Sequence, residues 1–177
     1  MNDLTQCTEV DVAELARTRS SLAGELPLSA LPRLLADVWP PTGDMPQVRW
    51  RLEARSQAQA GGLKDQVWAH LTAQLAVQVT CQSCLEPMAV DLVVDRHFRF
   101  VATEAEAVLE DEDSEEDVLV DAHCLDAYAL LEDELLMALP LAPRHGGCIA
   151  QYQAPPEVEI AEEKPNPFAA LAALKKT

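Results

Sequence analysis

The chain has 177 residues, 49% of them hydrophobic and 24% charged, so it can bury a core and lacks the composition of a disordered polypeptide. Thirteen Lys and Arg against thirty Asp and Glu give a formal net charge of −17. That excludes a surface that embraces nucleic acid on every side, because phosphate affinity rests on Lys and Arg.

Taken in chain order, residues 11–23 predict a short helix with Val12, Leu15 and Leu22 near one side and Gly24 as its stop. Pro32 predicts the first turn of a second short helix over 31–38, and Pro40-Pro41-Thr42-Gly43 a loop. From Val48 the apolar period changes to two. Val48, Trp50, Leu52 and Ala54 alternate with charged residues, which predicts a half-buried strand. Gly61-Gly62 is the next break. Leu71 to Val79 alternates in the same way, and Met88 to Val101 is a third strand in which Arg96 interrupts the apolar row and predicts a bulge or an edge. Cys81 to Pro87 is short enough to join the last two as an antiparallel hairpin. Residues 104–117 hold nine acids in fourteen positions and read as a solvated loop. Val118–Val120 predicts a short strand. Asp126 is the expected N-cap of a helix ending near Leu139, with Leu131, Leu135 and Ala138 as its buried stripe and Glu132, Asp133 and Glu134 on other sides.

The expected fold is α+β: a mainly antiparallel sheet or partial barrel on the 48–101 strands, packed by short N-terminal helices and the 126–139 helix. The expected layout is one domain over 1–150 with the acidic loop at 104–117, then a tail over 151–177 with a short apolar helix from Phe168. No apolar run approaches the roughly 18 residues that cross a bilayer, and residues 1–10 resemble no export leader. Five cysteines are an odd count without a secreted disulfide spacing, so the expected compartment is a reducing cytoplasm.

Cys81-x-x-Cys84 is the sharpest chemical signal. Two thiolates at this spacing on a turn can chelate one zinc ion, and His145-Gly-Gly-Cys148 supplies two more ligands after 60 intervening residues. Cys81, Cys84, His145 and Cys148 are therefore the candidate structural zinc set, with Gly146 and Gly147 allowing a tight fold around the metal. Metal-free thiols and a redox pair with Cys81 attacking are the competing readings, although redox chemistry favours a helix N-terminus over a turn between strands. His123-Cys124 is a weaker ligand source, and Cys7 reads as an ordinary thiol. Arg49, Arg51 and Arg55 share one strand face. They are either routine solvent-facing polarity or a contact for RNA phosphate or an acidic partner. Arg96 and Arg99 differ in parity and cannot both extend that face. No glycine-rich phosphate loop, nucleophile elbow or zinc-protease helix is present, and the carboxylates of Glu132-Asp133-Glu134 diverge by about 100° per residue. Nothing in the residues points to an enzyme or a small-molecule substrate.

Charge is uneven along the chain: residues 45–100 hold six basic and five acidic residues, and residues 101–177 hold four and eighteen. Only the central segment can face RNA.

Four stretches resemble the YceD family of large ribosomal RNA subunit accumulation proteins. These are Arg17–Gly24 with Pro32-Arg33-Leu34, the valine-rich strand entering Cys81-Gln-Ser-Cys-Leu-Glu-Pro87, Leu131–Pro140 continued to His145, and Lys164–Lys175. The resemblance runs nearly end to end. Ser83 departs from it, since the family usually carries Arg there, which weakens an RNA contact at this turn. The resemblance implies a non-enzymatic cytoplasmic factor needed for normal 23S ribosomal RNA levels. Its partners would be ribosomal or assembly proteins, or the 23S rRNA precursor itself. A field set by −17 favours the basic protein partner.

Overall fold

The computed structural model describes residues 9–57, 65–111, 114, 116–120 and 122–148. In chain order the elements are β1 (Glu9–Val10), α1 (Val12–Thr18), β2 (Ser21–Pro27), a 3-10 turn (Leu28–Ala30), α2 (Pro32–Asp37), β3 (Gln47–Gln57), β4 (Gln66–Thr80) and β5 (Pro87–Val101). There follow α3 (Glu104–Asp111), β6 (Asp117–Val120), β7 (Leu125–Asp126) and α4 (Ala127–Met137). The Gly61-Gly62 break, Cys7 and the tail from 151 with its Phe168 helix lie outside the described residues.

The fold is α+β, with an open five-stranded sheet in the order β2-β3-β4-β5-β6 and no closed barrel among the described residues. Every pairing in it is antiparallel except β5 with β6. The period-two pattern explains which face is buried. Val48, Trp50, Leu52 and Ala54 of β3, Ala69 to Val79 at odd positions of β4, and Leu92, Val94, Phe98 and Phe100 of β5 all point to one side. There they meet Val12 and Ala16 of α1, Leu34 of α2 and Leu131 and Leu135 of α4 in one core cluster. The opposite face carries Arg49, Arg51, Gln74, Asp91, Asp95 and His97 into solvent. β1 and β7 form a separate two-stranded ladder that ties the described N-terminus to the start of α4.

The helix predicted over 11–23 is shorter. Asp11 caps it by accepting the Glu14 N–H at 2.8 Å, and Arg19 ends it in the left-handed region at φ 51°. Ser21–Pro27 then pairs with β3 from Ser21↔Glu53 to Pro27↔Gln47. Leu22, Gly24 and Leu26 alternate toward the core, and the free edge of β3 captures a segment whose helical pattern is weak. Gly24 therefore lies in a strand opposite Trp50, not at a helix end.

Arg96 makes no bulge, but it does stand at an edge, just before the 98–101 stretch of β5 that β6 pairs. The β4–β5 register runs unbroken from Val67↔Phe100 to Thr80↔Pro87, so Arg96 shares the inward parity of Val94 and Phe98. The charge is accommodated by partners instead: its guanidinium bonds Asp117 of β6 and lies 3.4 Å from Glu134 of α4.

The acidic block is not a loop throughout, since its first eight residues form α3. The Thr103 hydroxyl accepts the Glu106 N–H at 3.2 Å, and the Glu106 carboxylate reaches back to the Ala102 N–H at 3.1 Å. That arrangement is a variant of the capping box whose return bond reaches the residue before the cap, and Glu104 and Glu106 also sit favourably at the positive end of the helix dipole.

On α4 the predicted cap holds, with Asp126 accepting the N–H groups of Tyr128 and Ala129. Leu131 and Leu135 are fully buried as expected, but Glu132 and Glu134 are buried too, at 5% and 8% exposure. Each has a partner that offsets the cost of burying a carboxylate: Arg33 for Glu132, and Arg96 for Glu134.

Candidate metal centre

Cys81 follows directly on β4 and keeps the inward parity of Val77 and Val79, which leaves it fully buried. The turn after it closes through two backbone bonds, Cys81 N–H to Glu86 C=O and Leu85 N–H to Cys81 C=O, both 2.9 Å. Leu85 takes the left-handed conformation at φ 63°, a strained choice for a residue with a Cβ. That geometry turns the chain sharply enough for Cys84 to face the same point as Cys81.

The second half of the site arrives after α4. The Gln82 N–H donates to the Pro143 carbonyl at 2.8 Å, which docks the 143–148 segment on the turn. The Cys148 N–H then bonds the His145 carbonyl at 2.9 Å and closes a turn of its own. As a result the sulfurs of Cys81, Cys84 and Cys148 and a ring nitrogen of His145 lie within 4.8 Å of one another. Cys84 Sγ is 3.5 Å from His145 Nδ1. Gly146 and Gly147 matter less than the sequence implies. Neither adopts a positive φ, and a Cβ at either position meets nothing within 4 Å.

The electrostatics suit a thiolate ligand. Burial pushes the Cys81 thiol up, but hydrogen bonds from the backbone of Cys84, Ser83 and His145 and from the Cys84 side chain outweigh it and hold the thiol at about 5. Cys148 is pushed up to about 11, first by its hydrogen bond with Cys84 and then by burial and the neighbouring Cys81. One sulfur carries the charge and its neighbour keeps the proton. A divalent cation would reverse that for Cys148, releasing a proton as it bound. Three thiols and one imidazole are an accepted tetrahedral zinc set, and backbone N–H bonds to sulfur are the outer support that such sites use. The described residues therefore fit the ion. A low thiol pKa is shared by metal ligands and redox nucleophiles, but a nucleophile needs access, and Cys81 has none.

His123 and Cys124 are not in this cluster; His123 Nδ1 lies 3.1 Å from Asp11 Oδ2 at the start of α1. Arg49, Arg51 and Arg55 do share the outward face of β3. Arg49 Nε, however, is 3.0 Å from Glu25, Arg51 Nε is 2.6 Å from Glu53, and Arg55 lies over the Trp68 ring at 5.8 Å. Arg99 is on the same outer face and is held by Glu110 and Glu116.

Two groups of residues escaped the sequence reading. Glu132 and Arg33 pair across the α2–α4 contact. His70, Asp95 and His97 form a second convergent set on the outer face of β4 and β5. The hairpin turn gives the signal for the latter: once Thr80 pairs with Pro87, His70 must stand opposite His97.

A family model described as large ribosomal RNA subunit accumulation protein YceD matches residues 69–175. The chain belongs to the YceD family. The matched span starts in β4 and takes in both halves of the cysteine–histidine cluster and all of α4, while Arg17–Gly24 and Pro32–Leu34 precede it. A YceD relative from Haemophilus influenzae, named large ribosomal RNA subunit accumulation protein YceD, is 34% identical over 108 residues. That alignment covers 58% of this chain and 62% of the relative, so it spans less than two thirds of the relative's length. No solved structure matches the chain.

Proposed function

We propose that this YceD-family chain is a non-enzymatic cytoplasmic factor in large-subunit ribosome biogenesis. In this reading it supports 23S rRNA accumulation by binding a basic ribosomal or assembly protein. The family and the name of the Haemophilus relative support the process. One structural observation supports the protein partner over bare RNA: the arginines of the central segment already face carboxylates or an indole within the chain. Arg49 and Arg51 meet Glu25 and Glu53, Arg55 meets Trp68, and Arg96 and Arg99 meet Asp117, Glu134, Glu110 and Glu116. These positive charges are locally compensated within the chain, and the net −17 sets the long-range field.

The Cys81, Cys84, His145 and Cys148 cluster serves this function as a structural zinc knuckle. It would fasten the β4–β5 turn to the segment leaving α4.

Crosslinking in cells, with identification of both protein and RNA adducts, tests the proposal. Adducts to basic ribosomal or assembly proteins that survive nuclease treatment are the expected result, together with a fall in 23S rRNA when the chain is depleted. Adducts to RNA alone, or normal large subunits after depletion, would overturn it.

A further inference from the structure

His70 and His97 are register partners on β4 and β5 and both point away from the helices. Their rings stack with centroids 4.1 Å apart and planes within 5° of parallel. Asp95 precedes His97 by two residues, so the strand period puts it on the same face. Its Oδ1 lies 2.6 Å from His70 Nε2. One donor atom from each of the three residues falls within 4.8 Å of the other two.

We propose that this constellation is a second metal site, selective for a first-row divalent cation. Two imidazoles and a carboxylate are borderline donors, which suit zinc, nickel or copper(II) better than calcium or magnesium. With metal–nitrogen bonds of about 2.0–2.1 Å, tetrahedral ligands stand about 3.3 Å apart. Binding requires the stacked rings to splay until their in-plane nitrogen lone pairs converge on one point, a side-chain rotation open to these partly or fully exposed residues, while the unbroken β4–β5 ladder fixes their Cα positions. The cleft beside them is lined by Trp68, Asp95, Arg96, His97 and Glu116, leaving room for water to complete the shell and a further carboxylate nearby. The cations near the site are engaged elsewhere: Arg99 by Glu110 and Glu116, Arg51 by Glu53, Arg96 by Asp117 and Glu134, and Arg55 over the Trp68 ring. The bound ion would cross-link β4 to β5 on the side opposite the core, independently of the thiolate cluster and of any role in ribosome assembly.

Calorimetric titration of the metal-free full chain with Zn²⁺ decides this. Two classes of site are expected. The double substitution His70→Ala and His97→Ala should abolish the weaker class and leave the tighter one, whereas Cys84→Ser with Cys148→Ser should do the reverse. Asp95→Asn, which keeps the side-chain shape, should weaken the histidine class at least about tenfold and carries the test should the double variant misfold. Zinc binding that His70→Ala with His97→Ala and Asp95→Asn both leave unchanged, whether one class or two, would show that the three residues form only an ion pair beside a stacked ring.

Discussion

Glu132 on α4 serves as the N-cap of α2. Its Oε1 accepts the backbone N–H of Arg33 at 2.7 Å and that of Leu34 at 3.2 Å, and its Oε2 receives Arg33 Nε at 2.9 Å. The local cap residue, Leu31, has no side chain able to do this, and Pro32 occupies the first helical turn. A carboxylate from an element ninety-nine residues away therefore completes the helix and holds α2 on α4.

Replacing Glu132 with Ala should accordingly cost about 1.5–3 kcal/mol, the range for hydrogen bonds to a charged group with donors left unpaired. Glu132→Gln keeps one acceptor oxygen and should cost less. Urea denaturation measures both, and an alanine variant as stable as the native chain would mean that water caps α2 equally well.

Protein purified without chelator should contain one tightly held zinc ion. Cys81→Ser should lower both the zinc content and the melting temperature, because metal binding is linked to folding. Cys124→Ser, outside the cluster, should change neither. Elemental analysis paired with thermal melts reads the outcome, and equal zinc in all three proteins would rule out Cys81 as a ligand.

The Arg96–Glu134 pair makes a prediction with a definite pH sign. Burial raises the Glu134 carboxyl above its usual range, and Arg96 opposes that shift. An acid with a raised folded pKa stabilises the fold most at low pH and loses that contribution as pH climbs through the raised value. Arg96→Met removes the opposing charge, so its destabilisation should be larger at pH 7 than at pH 4. Chemical denaturation at the two pH values checks this. An equal loss at both would indicate that Arg96 matters for packing alone.

Changing Arg49, Arg51 and Arg55 together to Glu should leave retention of rRNA fragments on filters unaltered, because these side chains are already engaged by Glu25, Glu53 and Trp68. Loss of retention that the native protein shows would restore direct RNA recognition through this face.

What the sequence discloses divides along physical lines. β3, β4 and β5 are long enough for a period of two to be unmistakable, and Asp126 caps α4 by a purely local bond. The Cys81–Cys84 turn was legible for the same reason. Tertiary capture was not: Ser21–Pro27 becomes a strand only because the edge of β3 is free to receive it. Burial of Glu132 and Glu134 likewise depends on Arg33 and Arg96, which no spacing within α4 announces. The capping-box variant at Thr103 and Glu106 was local and readable, but the density of acids around it resembled a loop.

β6 lies parallel to β5, and two parallel neighbours cannot be joined by a tight reversal. The acidic stretch is therefore also a bridge whose span the topology demands. Excising it would remove Asp117, the counter-ion of Arg96, so a truncation would confuse lost negative charge with a collapsed sheet edge. Swapping its other carboxylates for amides, while sparing Glu110, Glu116 and Asp117 that hold Arg99 and Arg96, keeps the crossing intact while charge is removed.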